Sequence, residues 1–207
     1  MKQKAIFLFQ GIVAIFIVIL FCHTTPPSKS VVQDQTIPLD GREGGIIAFT
    51  ITPVDGNAEL FLINADGSGR KQLTKLPERE YSPSFSPDGK QLAFYSHIND
   101  STWSLFSVSA DGNIIRRLTA MENLWDWSPR FSPDGTKIIF ARTYLKPRYR
   151  SELWTMDIDG SNAAQFGCID GQGPDWSPDG KRIVYFHYRE GLGDIWTIDA
   201  ESKKPRR

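Results

Sequence analysis

Short apolar runs recur along most of the chain, each about five residues long and bounded by glycine, proline or aspartate. Runs of this length favour β-strands, because helices with a buried face usually extend over ten residues or more. In one set of runs an aromatic residue recurs every 45 or 46 residues, at Phe49, Phe94, Phe140 and Tyr185. A second set follows at Glu59–Ile63, Ser104–Val108, Glu152–Met156 and Asp194–Ile198. The pattern predicts an all-β region built from four copies of one unit.

A turn motif marks three of these units. The sequence Ser-Pro-Asp-Gly begins at Ser86, Ser132 and Ser177, and each copy lies between an aromatic residue and an apolar run. Proline presets φ for the turn, aspartate hydrogen-bonds to nearby backbone, and glycine adopts the left-handed conformation that other residues resist. We therefore predict hairpin turns rather than cation sites, because calcium loops need several acids at close spacing. The turn residues are Pro87, Asp88, Gly89, Pro133, Asp134, Gly135, Pro178, Asp179 and Gly180.

Four short strands in a unit of about 45 residues are typical of a β-propeller blade. The predicted fold is a partial or four-unit β-propeller of four-stranded antiparallel blades, with units at about 44–80, 81–124, 125–172 and 173–207. The last unit is expected to be incomplete, because residues 206–207 align with Arg116 and Arg117 at the start of a fourth strand. We therefore expect a piece of a larger propeller, whose open blade faces could support self-association.

These residues resemble the TolB-type propeller repeat, in which an aromatic residue, Ser-Pro-Asp-Gly and an apolar strand open each blade. The turn Asn64–Ser68, followed by Leu73 and Thr74, is also similar to that family. The resemblance covers roughly residues 44–207 and implies a propeller that binds a protein or a small ligand across one face. A cell-envelope protein is the kind of partner it implies. Residues 23–43 are too few for the α/β domain that precedes the propeller in the family, and four units are fewer than its six blades.

The N-terminus has the layout of an export signal. Lys2 and Lys4 precede an apolar run, Ala5–Cys22, that is roughly long enough to cross most of a bilayer core near 30 Å thick. We predict a hydrophobic helix over residues 1–22, acting as a signal peptide or an uncleaved signal anchor, and a linker over residues 23–43. The rest of the protein would then lie outside the cytoplasm, in the periplasm or at the cell surface. Lipidation of Cys22 is the less favoured alternative, because Phe21 precedes it.

Charge and motifs narrow the functional classes. Lys plus Arg and Asp plus Glu both number 24, so no net charge attracts nucleic acid. The sequence has no nucleophile elbow, zinc-protease helix or phosphate-binding glycine loop, and we predict no catalytic, cofactor or metal residues. A binding module is the favoured function. The alternative is the propeller part of an enzyme: a gating domain similar to that of prolyl oligopeptidases, or a metal-dependent sugar lyase using His97 or His187.

Residues that break the repeat are the candidates for contact with a partner. Trp125 has no counterpart in the other units, and residues 143–150 form a basic, aromatic insertion between a second and a third strand. Tryptophan, tyrosine and arginine are enriched at binding hot spots. We therefore predict partner contacts at Trp125, Tyr144, Arg148 and Tyr149, with a solvated loop as the alternative for the insertion.

Overall fold

A computed structural model describes residues 45–54, 56–189 and 192–206. This part of the chain is all-β, as predicted, and within it no helix has the length and hydrophobicity needed to span a bilayer. The predicted N-terminal helix and the linker lie outside the described residues. In chain order, the strands are β1 (Ile46–Ile51), β2 (Glu59–Asn64), β3 (Lys71–Gln72), β4 (Glu80–Phe85), β5 (Gln91–Asn99), β6 (Thr102–Ser109), β7 (Ile115–Arg117), β8 (Leu124–Phe131), β9 (Lys137–Tyr144), β10 (Arg150–Asp157), β11 (Ala164–Asp170), β12 (Gln172–Trp176), β13 (Arg182–Arg189), β14 (Leu192–Asp199) and β15 (Pro205–Arg206).

The strands form four antiparallel groups in which each strand pairs with its neighbour in sequence. We name them blade 1 (β1–β3), blade 2 (β4–β7), blade 3 (β8–β11) and blade 4 (β12–β15). Blades 2 to 4 have four strands each, and the three described strands of blade 1 match the second, third and fourth strands of the others. An aromatic pair at the same register of every blade sets this correspondence: Phe49–Phe61, Phe94–Phe106, Phe140–Trp154 and Tyr185–Trp196.

Apolar contacts between neighbouring blades form the core. The forward face of a blade, which packs on the next blade, carries a fully buried leucine from its third strand: Leu60, Leu105 and Leu153 in blades 1 to 3. The backward face of the next blade supplies an aromatic residue to the same cluster: Phe94, Phe140 and Tyr185. Burying a side chain of this size is worth about 1.5–3 kcal/mol. Face-to-face burial therefore holds successive blades together.

Each Ser-Pro-Asp-Gly copy closes the hairpin between the first and second strands of its blade. In blade 3 the Ser132 hydroxyl and the Thr136 amide donate hydrogen bonds of 2.6 and 3.0 Å to Asp134 Oδ1. These bonds lower the pKa of Asp134. Gly135 adopts a φ of +71°, in the left-handed region. The equivalent aspartates at 88 and 179 accept the same two kinds of bond, so the motif is occupied in building turns.

A second set of turns joins the third and fourth strands and touches the preceding blade. Gly67, Gly112 and Gly160 occupy equivalent places in these turns, all with positive φ. A Cβ at Gly112 or Gly160 would lie 2.8 Å from the backbone carbonyl oxygen of a leucine, Leu73 or Leu118, which directly follows the fourth strand of the preceding blade. A Cβ at Gly67 would meet nothing within 4 Å. In blades 2 and 3 the absence of a side chain therefore serves interblade packing as well as the turn.

Gly160→Ala is expected to destabilise the protein more than Gly67→Ala. Both substitutions force alanine into the left-handed region at a cost of about 1–2 kcal/mol, but only the first also pushes a Cβ against a backbone oxygen. We expect Gly160→Ala to cost at least about 1 kcal/mol more, the scale of an overpacked site. Urea denaturation followed by circular dichroism measures the difference. Equal free energies of unfolding for the two variants would contradict the described contact.

A buried carboxylate joins blades 1 and 2. Glu80 opens the first strand of blade 2 and is fully buried. Its Oε2 accepts hydrogen bonds from the Leu60 amide, at 3.1 Å, and from the Thr74 hydroxyl, both in blade 1. Burial, reinforced by the negative charges of Glu59 and Glu78, raises the pKa of Glu80 to about 7 despite these bonds. The group therefore holds its proton well above the pH at which an exposed glutamate loses it.

This carboxyl makes stability depend on pH in a defined direction. Its pKa is higher in the folded protein than in the unfolded chain, so its contribution is complete below about pH 4.5 and is lost as the pH rises through about 7. Glu80→Gln keeps a neutral group there and removes this dependence. Urea denaturation measures the free energy of unfolding at pH 5 and pH 8. Between these values it should fall by on the order of 2–3 kcal/mol more for the wild type than for the variant.

Glu122→Gln is the matched control, because Glu122 is exposed. The control should follow the pH dependence of the wild type. If Glu80→Gln also followed it, burial of the Glu80 carboxyl would not govern its titration.

Candidate binding rim

One end of the blades collects the features that depart from the repeat. Successive strands are antiparallel, so the hairpins between second and third strands lie at the same end as the loops that enter the next first strand. The Ser-Pro-Asp-Gly turns and the turns between third and fourth strands lie at the other end. We call the first end of blades 2 and 3 the hairpin rim, made by residues 97–103, 123–125 and 143–151, and the other end the turn rim.

Aromatic rings are stacked along the hairpin rim from blade 2 into blade 3. His97 lies over Trp103 with ring centroids 4.3 Å apart, and Trp103 lies over Trp125 at 4.2 Å, with interplanar angles of 9° and 8°. Tyr149 meets the edge of Trp125 at 6.1 Å. Within blade 2, Tyr81 and Tyr95 continue the stack. We call these six rings the aromatic stack: Tyr81, Tyr95, His97, Trp103, Trp125 and Tyr149.

Strand register explains why these rings meet. Tyr95 and His97 are two residues apart on β5 and so project from the same face. His97 is opposite Trp103 across the β5–β6 hairpin. Trp103 is in turn the residue of β6 that pairs, in parallel, with Trp125 of β8. Two blades are thus joined at the rim by one backbone bridge and by the stacked indoles on it.

The surroundings of the histidine in the stack favour its neutral form. Burial, followed by the positive charge of Arg79, lowers the pKa of His97 below its usual value. His187, the other histidine considered as a metal ligand, lies elsewhere: its Nδ1 contacts the carbonyl oxygen of Asp170, and its ring meets the edge of Trp196 at 5.5 Å. Within the described ranges, no group of three or more His, Cys, Asp and Glu side chains is placed to hold a metal ion.

A buried ion pair lies directly behind the rim of blade 3. Arg142 donates from Nε and Nη2 to the two oxygens of Asp126, at 2.7 and 2.9 Å, and both side chains are almost fully buried. The guanidinium also lies 4.2 Å from the centre of the Trp154 ring. Burial alone would lower the pKa of Arg142, but the hydrogen bond and charge of Asp126 outweigh it and raise the pKa. This bidentate pair fixes the strands that carry Trp125 and Tyr144.

The residues predicted for partner contact all lie at this rim. Trp125 is half-buried within the aromatic stack, while Tyr149 is 56% exposed at its end. Tyr144 ends β9, and the guanidinium of Arg150 lies 4.4 Å from the centre of its ring. Arg148 is exposed in the loop between them. The structure therefore brings Trp125 and Tyr149 into contact, and contact of the four residues with a partner remains a prediction.

Four members of the stack were not predicted from sequence: Tyr81, Tyr95, His97 and Trp103. The available signal was the alternation of Tyr95 and His97 on one strand, followed by Trp103 just after the hairpin. That pattern places three rings on one face of a hairpin. It does not reveal that Trp125, from the next blade, continues the stack.

Comparisons with known proteins agree with this architecture. An uncharacterised protein of Agrobacterium fabrum is 32% identical over 142 residues, which are 63% of this chain and 47% of that protein. Dipeptidyl-peptidase 5 of Porphyromonas gingivalis is 38% identical over 81 residues, which are 36% of this chain and 12% of the peptidase. The chain thus spans about half or less of the length of these relatives.

The solved structure of TolB from Acinetobacter baumannii has the same fold, with a TM-score of 0.67 and 22% identity over 79% of this chain and 41% of that one. The sequence model of the TolB β-propeller domain family matches residues 40–207, which include every blade described above. The repeat, the blade topology and this match together show that the chain belongs to the TolB β-propeller family.

Proposed function

We propose that this chain is a non-catalytic, extracytoplasmic propeller module that binds a protein through its hairpin rim. The observation that supports it best is the aromatic stack, which runs across two blades and ends at the exposed ring of Tyr149. Arg148 and Arg150, the neighbours of Tyr149 in sequence, are exposed as well. Tyrosine, tryptophan and arginine in a packed setting are the residues that contribute most to protein interfaces.

The stack is suited to binding because its rings are already ordered. Trp125 packs against Trp103 on one side and against Tyr149 on another, so little rotamer freedom remains to be lost when a partner covers them. The buried Arg142–Asp126 pair fixes the underlying strands. Arg150 is paired with Glu152 at 3.1 Å, whereas exposed Arg148 favours a partner that offers carboxylates or carbonyl oxygens. The rim therefore combines a rigid apolar centre with a basic border.

The location outside the cytoplasm is part of the proposal. It is supported by Lys2 and Lys4 ahead of the apolar run Ala5–Cys22, a pattern of secretory signals and signal anchors. An anchor would hold the propeller close to a membrane, where a cell-envelope protein is the expected partner. Membership of the TolB family agrees with this location.

Site-specific photo-crosslinking in intact cells tests the binding surface. A benzophenone amino acid at position 149 or 148 of the full chain should give a discrete crosslinked protein, because both positions lie at the rim. The same probe at position 114 is the matched control. Ile114 is 65% exposed, but it lies in a turn between third and fourth strands, at the turn rim.

Once mass spectrometry has identified the crosslinked protein, Tyr149→Ala should weaken its binding at least about tenfold, as hot-spot residues do. Equal products from positions 149 and 114, or no product from the rim, would contradict the proposal.

A second function has a specific observation in its favour. The 38% identity to dipeptidyl-peptidase 5 over 81 residues suggests a propeller that accompanies a peptidase. The same crosslinking experiment separates the two functions. Products from rim positions that join this chain to a peptidase domain would favour the second one, whereas a partner without such a domain favours the binding module.

A further inference from the structure

A cavity of about 370 Å³ lies between blades 2 and 3 at the turn rim. Sites for small molecules begin at about 300 Å³, so it is large enough to hold one. Three polar side chains from successive strands of blade 2 line it: Gln91 of β5, Ser107 of β6 and Arg116 of β7. Ser107 is opposite both Ala93 and Arg116 in the strand register, so all three side chains project from the forward face of the blade.

The cavity exists because blade 2 departs from the repeat at this place. The counterparts of Gln91 and Ser107 in blade 1 are Ile46 and Leu62, by register with the aromatic pair of each blade. Both belong to the apolar cluster between blades 1 and 2, where Leu62 is only 2% exposed. A serine in the place of this leucine leaves open the space that the larger side chain fills.

Polar groups at the equivalent places of the other two junctions have partners. Lys71, the counterpart of Arg116 in blade 1, donates a hydrogen bond of 3.3 Å to the backbone carbonyl oxygen of Asp111 in blade 2. In blade 3 the second-strand position holds Lys137, which forms an ion pair with Asp157 of the same blade. These contacts close the two junctions without any ligand.

The polar side chains of the cavity are uncommitted. Across the part of the chain that the structure describes, the side chains of Gln91, Ser107 and Arg116 make no hydrogen bond or ion pair. Ser107 is nevertheless 9% exposed, and buried polar groups nearly always have a hydrogen-bond partner. A hydroxyl, an amide and a guanidinium thus face one cavity with their hydrogen-bonding capacity unused.

The remaining walls add apolar surface and a local ion pair. Ile114 and Ile158, from turns of blades 2 and 3, line the cavity, and Ile114 is 65% exposed. Asp88 and Lys90 lie on the blade 2 side, where the Lys90 Nζ is 3.7 Å from the Asp88 Oδ2. Because these two charges offset each other, they favour neither an anion nor a cation in the cavity.

A carboxylate from blade 3 supplies the opposite charge to Arg116. Asp159 lines the cavity from the turn between the third and fourth strands of its blade. Its Oδ1 accepts hydrogen bonds from the amide and the hydroxyl of Ser161, at 2.9 and 2.6 Å. These bonds lower the pKa of Asp159, so the group is ionised at neutral pH. They engage one oxygen and leave Oδ2 able to accept from a ligand.

We propose that this cavity binds a small zwitterion of the α-amino-acid type with an apolar side chain. Arg116 binds the carboxylate, assisted by the Ser107 hydroxyl, and Asp159 accepts hydrogen bonds from the ammonium group. Ile114 and Ile158 contact the side chain. The cavity is at the turn rim and its ligand is a small molecule, so the site is separate from the protein-binding surface of the proposed function.

Saturation-transfer NMR on the full-length protein in deuterated detergent tests the class of ligand. Three compounds share one isobutyl group: L-leucine, 4-methylpentanoate, which lacks the ammonium group, and 3-methylbutylamine, which lacks the carboxylate. L-Leucine should bind saturably with a Kd of about 1 mM or tighter. Binding of 4-methylpentanoate should be weaker, and that of 3-methylbutylamine weakest, because it cannot pair with the guanidinium.

Substitutions assign each end of the ligand to its residue. Arg116→Gln should weaken the binding of L-leucine at least about tenfold. Asp159→Asn should lower the affinity for L-leucine to that for 4-methylpentanoate, without weakening the binding of 4-methylpentanoate itself. Ser107→Leu should abolish binding, because it fills the cavity as Leu62 fills the equivalent space. Arg70→Gln is the matched control: Arg70 is exposed between β2 and β3, and its variant should bind like the wild type.

Four results would overturn the proposal. They are no saturable binding of any compound, equal affinities for L-leucine and 3-methylbutylamine, tighter binding of 4-methylpentanoate than of L-leucine, and full binding by Arg116→Gln. The first would show that the cavity holds no such ligand, and the last would place the ligand elsewhere. Circular dichroism checks that each variant is folded. If Ser107→Leu does not fold, Arg116→Gln decides, because Arg116 is exposed.

Discussion

The packing of each blade on the next is the interaction on which the rest of the structure depends. A single blade is a small twisted sheet with two apolar faces, and it buries them only when neighbours cover both. Leu60, Leu105 and Leu153 do this at three successive junctions, each opposite an aromatic of the following blade. Apolar burial stabilises each junction. Hydrogen bonds that cross it, such as the one from the Leu60 amide to Glu80, restrict how the two blades are oriented.

The hairpin rim follows from the same packing. Trp103 and Trp125 belong to different blades, and they can stack at 4.2 Å because the blades are already held side by side and joined by one parallel bridge. The ion pair of Arg142 and Asp126 then fixes the strands behind the rim. A surface assembled on such a support is rigid, which favours recognition of a partner with little ordering cost.

Features set by local chemistry could be predicted from the sequence, and features set by contacts between blades could not. The Ser-Pro-Asp-Gly turns were predictable because Asp134 and Gly135 act within a few residues of backbone. Trp125 was found as a candidate because it departs from the repeat. One repeat position shows where prediction from sequence ends. Six residues before each Ser-Pro-Asp-Gly motif, successive blades hold Glu80, Asp126 and Gly171. Glu80 bonds to the preceding blade and Asp126 to its own, and no periodic pattern distinguishes them.

Native-state hydrogen exchange of a Leu105→Ala variant tests the central claim most directly. Leu105 belongs to blade 2, and its side chain lies in the cluster that holds Phe140 and Met156 of blade 3. Removing a buried leucine side chain costs about 2–5 kcal/mol. If the junction holds both blades, amides of β5 and β6 and those of β9 and β10 should lose protection together, while β1 and β2 keep theirs. Loss of protection confined to β5 and β6 would show that blade 3 is stable without its neighbour and would contradict the account.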